Sequence, residues 1–168
     1  MSLSMHQASV TPFVHSLKAL SKILDKAEAH ATARKIDPAV LLGMRLSPDM
    51  LNFTRQVQLA SDFAKGGSGR LAGVELPKYD DTEASFADLK ARIAKTIDFV
   101  SSLKPAQVDG SEERTVTIPL GGQPRNFTGQ SYLIDFALPN FYFHVTTAYD
   151  ILRHAGVEIG KRDFLGMT

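Results

Sequence analysis

Four stretches in which apolar residues return every three or four positions constrain this chain more than any other feature. An apolar stripe of that period requires a helix with one buried face. In the first, Val10, Phe13, Val14, Leu17, Leu20, Leu24 and Ala27 recur while Lys18, Lys22 and Lys26 point to water. Asp37-Pro38 and Ser47-Pro48 each have the form of an N-cap followed by proline, so a short helix leads into the second long one. That helix presents Met50, Phe53, Val57, Ala60 and Ala64. It is read as ending near Lys65, with Gly66, Gly67 and Gly69 in a loop; the alternative is a helix that continues because a neighbouring backbone approaches closely. After a connector containing Pro77, Asp80 and Asp81, the third stripe runs through Phe86, Leu89, Ile93, Ile97, Val100 and Leu103 and stops before Pro105.

The period then changes from about 3.6 to 2. Val116, Ile118 and Leu120 alternate with Thr115, Thr117 and Pro119 ahead of Gly121-Gly122, the pattern of a small hairpin. Pro119 and Pro124 confine its strands to edges. The fourth helix is expected over about residues 131–154, with Gly156 as its cap and with Pro139 marking a kink or a helix start. The fold class predicted is all-α, a four-helix bundle with a small β-hairpin before the last helix.

A chain of 168 residues with 43% apolar and 22% charged residues suits one globular domain, taken as 1–168. Nineteen Lys and Arg balance eighteen Asp and Glu, and the basic residues are scattered, which argues against a nucleic-acid partner. The absence of cysteine removes disulfides, thiolate metal sites and thiol nucleophiles. The N-terminus lacks the basic start and apolar run of a signal peptide, and no stretch is apolar for long enough to span a bilayer. A cytoplasmic protein with no membrane association is expected.

The segments Arg45–Met50, Arg70–Gly73, Tyr132–Leu133, Phe136–Tyr149 and Lys161–Gly166 resemble the pattern of a bacterial domain-of-unknown-function family in the DinB/YfiT-like metalloenzyme superfamily. The resemblance covers nearly the whole chain. It implies a DinB-like bundle, and its better-known members resemble metal-dependent transferases acting on small thiol cofactors. Their pattern places one histidine on the second helix and two, four residues apart, on the last. Here His144 matches the second position of the last helix and Asn140 the first, while Gln58, with Gln56 as the alternative, stands at the position on the second helix. The resemblance also implies homodimers, to which the apolar faces of the last helix add support.

Asn140 and His144 fall on the row that includes Leu133, Ala137, Ala148, Ile151 and Ala155, so both are expected to face the interior. Polar groups there need partners. Three readings follow. The first is a small-molecule site in the bundle cavity, built on His144, Asn140, Gln58 and Gln56 without a complete metal site. The second is a metal-free structural or homodimeric module in which the same groups fix helix register. The third is a divalent-metal-dependent transferase with atypical ligands, in which His144 would hold the ion. One strong ligand of three favours no metal cofactor. His6 continues the core face of the first helix and is a candidate to approach the same end; His15, His30 and His154 suit solvated or helix-terminal positions. Asn52-Phe-Thr54 and Asn126-Phe-Thr128 match the glycosylation acceptor pattern, which carries little weight without an export signal.

Overall fold

In the computed structural model, which describes residues 3–167, the helices start where side-chain acceptors can satisfy their first N–H groups. α1 (Met5–Arg34) opens with a capping box between Ser4 and Gln7. The Asp37 carboxylate accepts from the Ala39 N–H at 2.9 Å and starts α2 (Pro38–Gly43), with proline in the first turn as expected. Ser47-Pro48 departs from expectation. Its hydroxyl donates to Asp49, and the Met50 N–H closes a turn on the Ser47 carbonyl, so no helix begins there. α3 (Phe53–Ala72) starts instead at Asn52, whose side-chain oxygen accepts from the Arg55 N–H at 3.0 Å, and Met50 lies outside it.

The glycine-rich segment is helical, which corrects the loop reading. α3 continues through Gly66, Gly67 and Gly69 and stops at Gly73, where φ is 68°. Close packing supplies the reason. A Cβ on Gly67 would stand 2.9 Å from the Phe13 ring and 3.3 Å from the Ala137 Cβ. Glycine costs the helix about 1 kcal/mol relative to alanine, and here it lets α1 and the start of the last helix lie against α3.

Ser85 caps α4 (Phe86–Ser102), and α5 (Pro105–Val108) leads into the hairpin of β1 (Thr115–Leu120) and β2 (Gln123–Thr128). Gly121 and Gly122 take φ of 60° and 78°, the two positive angles that a two-residue I′ turn demands. Pro119 faces Pro124 one pair away from the turn. In a two-residue hairpin the pair next to the turn exchanges both hydrogen bonds and the following pair exchanges none. The prolines therefore interrupt no ladder bond.

α6 (Gly129–Ser131), a π-helical turn (Tyr132–Ala137) and α7 (Leu138–His154) follow without a break. The Leu138 N–H reaches five residues back to the Leu133 carbonyl. This wide turn admits Pro139, which has no N–H to give, so the proline sits in the first turn of α7 rather than kinking its middle. α3 packs against α7, α4 and α1, and α1 against α4, around a core that includes Phe13, Leu17, Phe53, Leu89 and Phe141. Phe13 and Phe141 meet edge to face at 4.8 Å. The hairpin is fastened to the bundle by buried Val116 and Ile118 and by Phe127 against Tyr132 and Phe136. α8 (Lys161–Phe164) folds back on α1, where Lys26 meets Asp163 at 2.5 Å. Among the described residues, no helix is long and apolar enough to cross a membrane.

Candidate functional site

His144 lies in the middle of α7, on the face that packs against α3, and is 8% exposed. Its Nδ1 is 2.7 Å from Oε1 of Gln56, in the first turns of α3. The Gln56 amide nitrogen donates to the Leu51 carbonyl at 3.0 Å, which leaves its oxygen facing the histidine. An amide oxygen only accepts, so the imidazole proton belongs on Nδ1 and Nε2 carries a lone pair. Nε2 has no hydrogen-bond partner among the described residues and retains contact with solvent. Burial, joined by the nearby charge of Arg55, pushes the His144 pKa down to about 4. The ring is neutral at physiological pH. Phe63 stacks on it at 5.4 Å and 17°, and Phe143 meets it edge on at 5.3 Å.

The other predicted residues do not converge on it. The Asn140 amide donates to the Phe136 carbonyl at 2.7 Å, a backbone group four residues earlier, beside the turn that Pro139 widens. Gln58 turns toward the connector, accepting from Arg55 at 2.8 Å and donating to Glu83 at 2.7 Å. His6 is tied elsewhere: its ring donates to the Leu103 carbonyl at 3.2 Å and its N–H to Asp109. His15 donates to the Leu165 carbonyl. Asn52 serves as a helix cap, and Asn126 accepts from Thr117 across the hairpin.

Two features escaped the sequence reading. A recess of about 230 Å³ lies where the hairpin meets α3 and the π turn, lined by Asp62, Phe63, Arg70, Ile118, Pro119 and Phe136 with Leu59. Phe63 is common to this recess and to the His144 stack. Next to it, Arg92 is wholly buried on α4 and gathers Asp62, Asp81 and Glu83 at 2.9–3.1 Å. The signal for Arg92 was present, since it interrupts the stripe Leu89, Ile93, Val100 on its buried side.

A family model described as a domain of unknown function, DUF1993, matches residues 5–165. This chain belongs to the DUF1993 family. The crystal structure of a DinB family member from Shewanella denitrificans is similar at a TM-score of 0.88 and 44% identity, over 96% of this chain and 91% of that one. No curated protein matches. The DinB-like bundle with a hairpin before its last long helix is thereby established for this DUF1993 chain.

The three-ligand metal site that the sequence resemblance implies does not fit these residues. A catalytic divalent site needs about three protein ligands aimed at one point. Here the Gln58 oxygen accepts from Arg55, the Gln56 oxygen holds the Nδ1 of His144, and Asn140, tied by its amide nitrogen to the Phe136 carbonyl, offers only a weak amide oxygen. Among the described residues, no three His, Asp or Glu side chains are placed to hold an ion.

Proposed function

We propose that this protein binds a small molecule at the α3–α7 face, with His144 Nε2 accepting a hydrogen bond from the ligand. The observation that carries the reading is the fixed tautomer. Gln56 holds Nδ1–H, burial keeps the ring uncharged, and the remaining lone pair has no partner among the described residues. A neutral, oriented acceptor flanked by Phe63 and Phe143 suits a ligand that presents an O–H or N–H beside an apolar or aromatic body. Asn140 and Gln58 position the surrounding backbone and connector rather than the ligand. The reading is one of binding, carried by the oriented acceptor of His144. Amide and imidazole chemical shifts test it, using a set of small phenols and amines titrated into the full chain. Saturable shifts at Phe63 and His144 that vanish in His144→Phe support the reading; a set with no saturable shift there overturns it.

A second reading, self-association, is favoured by a different observation. A groove of about 730 Å³ runs between the start of α1 and the π turn, with Met5, Ala8, Pro12, Leu133, Ile134 and Tyr142 in its wall. Ile134 is 54% exposed there, an apolar side chain suited to burial against a second copy.

A further inference from the structure

We infer that the recess beside Phe63 takes a small aromatic monocarboxylate, anchored by the guanidinium of Arg70; this rests on the small-molecule reading above only in extending it to an adjoining subsite that shares Phe63 with the His144 stack. The cations around the recess are otherwise occupied. Arg92 has three carboxylates, Arg55 has Asp81, and Lys65 has Asp62. Arg70, in the last turn of α3, pairs with no carboxylate among the described residues. Its one hydrogen bond is from Nη1 to the Tyr132 hydroxyl at 3.0 Å.

The guanidinium is nevertheless held in place. Tyr132 is fully buried in the π turn and offers its hydroxyl as a fixed acceptor. Gly66, one helical turn before Arg70, leaves the space in which Nη1 lies, for a Cβ there would run into that atom. Glycine inside a helix costs about 1 kcal/mol, and at this position the cost makes room for the guanidinium. With Nη1 engaged on one side, the remaining N–H groups form the planar fork that binds a carboxylate in two bonds.

The rest of the recess suits an apolar body. Phe63 and Phe136 meet edge to face at 5.9 Å, and Leu59, Ile118 and Pro119 complete the wall. At about 230 Å³ it is smaller than the 300 Å³ or so at which drug-sized sites begin, so a single ring is the expected scale. Asp62 shares the recess, with Arg92 and Lys65 each 3.0 Å from its Oδ1. That carboxylate tolerates one negative charge at the Arg70 end and opposes a doubly charged ligand such as a phosphate monoester.

The test titrates benzoate, and separately the uncharged benzamide, into the ¹⁵N-labelled full chain at constant ionic strength. The native chain, Arg70→Met and Gly66→Ala are compared. Benzoate is expected to bind about tenfold or more tighter than benzamide, the size of one charge-assisted contact. That preference should disappear in Arg70→Met. In Gly66→Ala it should weaken while the chain stays folded, because the methyl group runs into Nη1 and moves the guanidinium off the Tyr132 hydroxyl, a loss that the better helix propensity of alanine offsets in part. Equal binding of both probes, unchanged in the two variants, overturns the carboxylate assignment and leaves the small-molecule reading standing. No shift at Phe63 or Phe136 with either probe overturns the carboxylate assignment, while His144, which lies outside the recess lining, is read separately by the phenol and amine titration.

Discussion

Replacing Arg92 by methionine keeps most of the side-chain volume and removes the charge that fastens the connector of residues 74–85 to the bundle. Arg92 Nη1 reaches Asp81 at 3.1 Å, Glu83 at 2.9 Å and the Asp80 carbonyl at 3.2 Å, and Nη2 reaches Asp62 at 3.0 Å. The ring of Tyr79 lies under Arg92 and is flanked by Lys65 and Lys95 at 4.0 and 4.1 Å. Losing one partner of a buried ion pair costs about 3–5 kcal/mol, because the other charge is stranded. The Asp62 and Asp81 side chains are 34% and 43% exposed and regain water, whereas Glu83, at 7%, keeps Gln58 as its side-chain donor. The low end, about 3 kcal/mol, is therefore expected, a drop of about 6–12 °C in Tm for a chain of this size. Urea and thermal unfolding at pH 7 measure it. The pH dependence has a definite sign. Burial acts to raise the Asp81 and Glu83 carboxyls, but hydrogen bonds from Arg55 and Arg92 outweigh it and hold both below their ordinary values of 3.8 and 4.5. Their contribution is present at neutral pH and is lost as the pH falls through those lowered values, so native chain and variant converge in strong acid. A variant within about 0.5 kcal/mol of native at pH 7 would show that the cluster behaves as a surface network and refute the argument.

His144 titrates in a separate window. Its folded-state pKa of about 4 lies below the ordinary 6.5, so its neutral form stabilises the fold above pH 6.5 and that stability drains away as the pH falls toward 4. A loss of up to about 3 kcal/mol across that range, absent in His144→Phe, is expected in unfolding curves. Gln56→Leu should cost about 1–3 kcal/mol at pH 7 by stranding the Leu51 carbonyl and the His144 N–H, read from the urea midpoint. Gly67→Ala should destabilise the chain more than Gly66→Ala, since the first meets the Phe13 ring in the core and the second only the end of the Arg70 side chain; equal melting temperatures would contradict this.

The bundle was legible because its evidence is local. Each stripe, at Val10–Ala27, Met50–Ala64, Phe86–Leu103 and Leu133–Ile151, has a helical period, although Met50 falls ahead of the α3 cap, and the hairpin announces itself through period two and Gly121-Gly122. The end of α3 was misread for a physical reason. Propensity counts the entropy cost of glycine, but the close approach of Phe13 and Ala137 that repays it depends on tertiary packing. The site divides in the same way. That His144 faces inward follows from its row on α7, and a polar group in that row implied a partner. The spacing favours Gln58 over Gln56, and the structure reverses that order, since the two lie on different sides of α3 and Arg55 and Glu83 draw Gln58 away. Arg70 stood inside a segment used to identify the family, yet its freedom from carboxylates depends on residues far away in sequence.

The central claim is that His144 is a neutral acceptor held in one tautomer, and ¹⁵N spectra of the histidine side chains at pH 7 test it most directly. The account predicts Nδ1 protonated and Nε2 bare for His144, with titration near pH 4 and an Nε2 resonance that moves when a hydrogen-bonding ligand saturates the site. A His144 protonated on Nε2, or one titrating near 6.5, would contradict it.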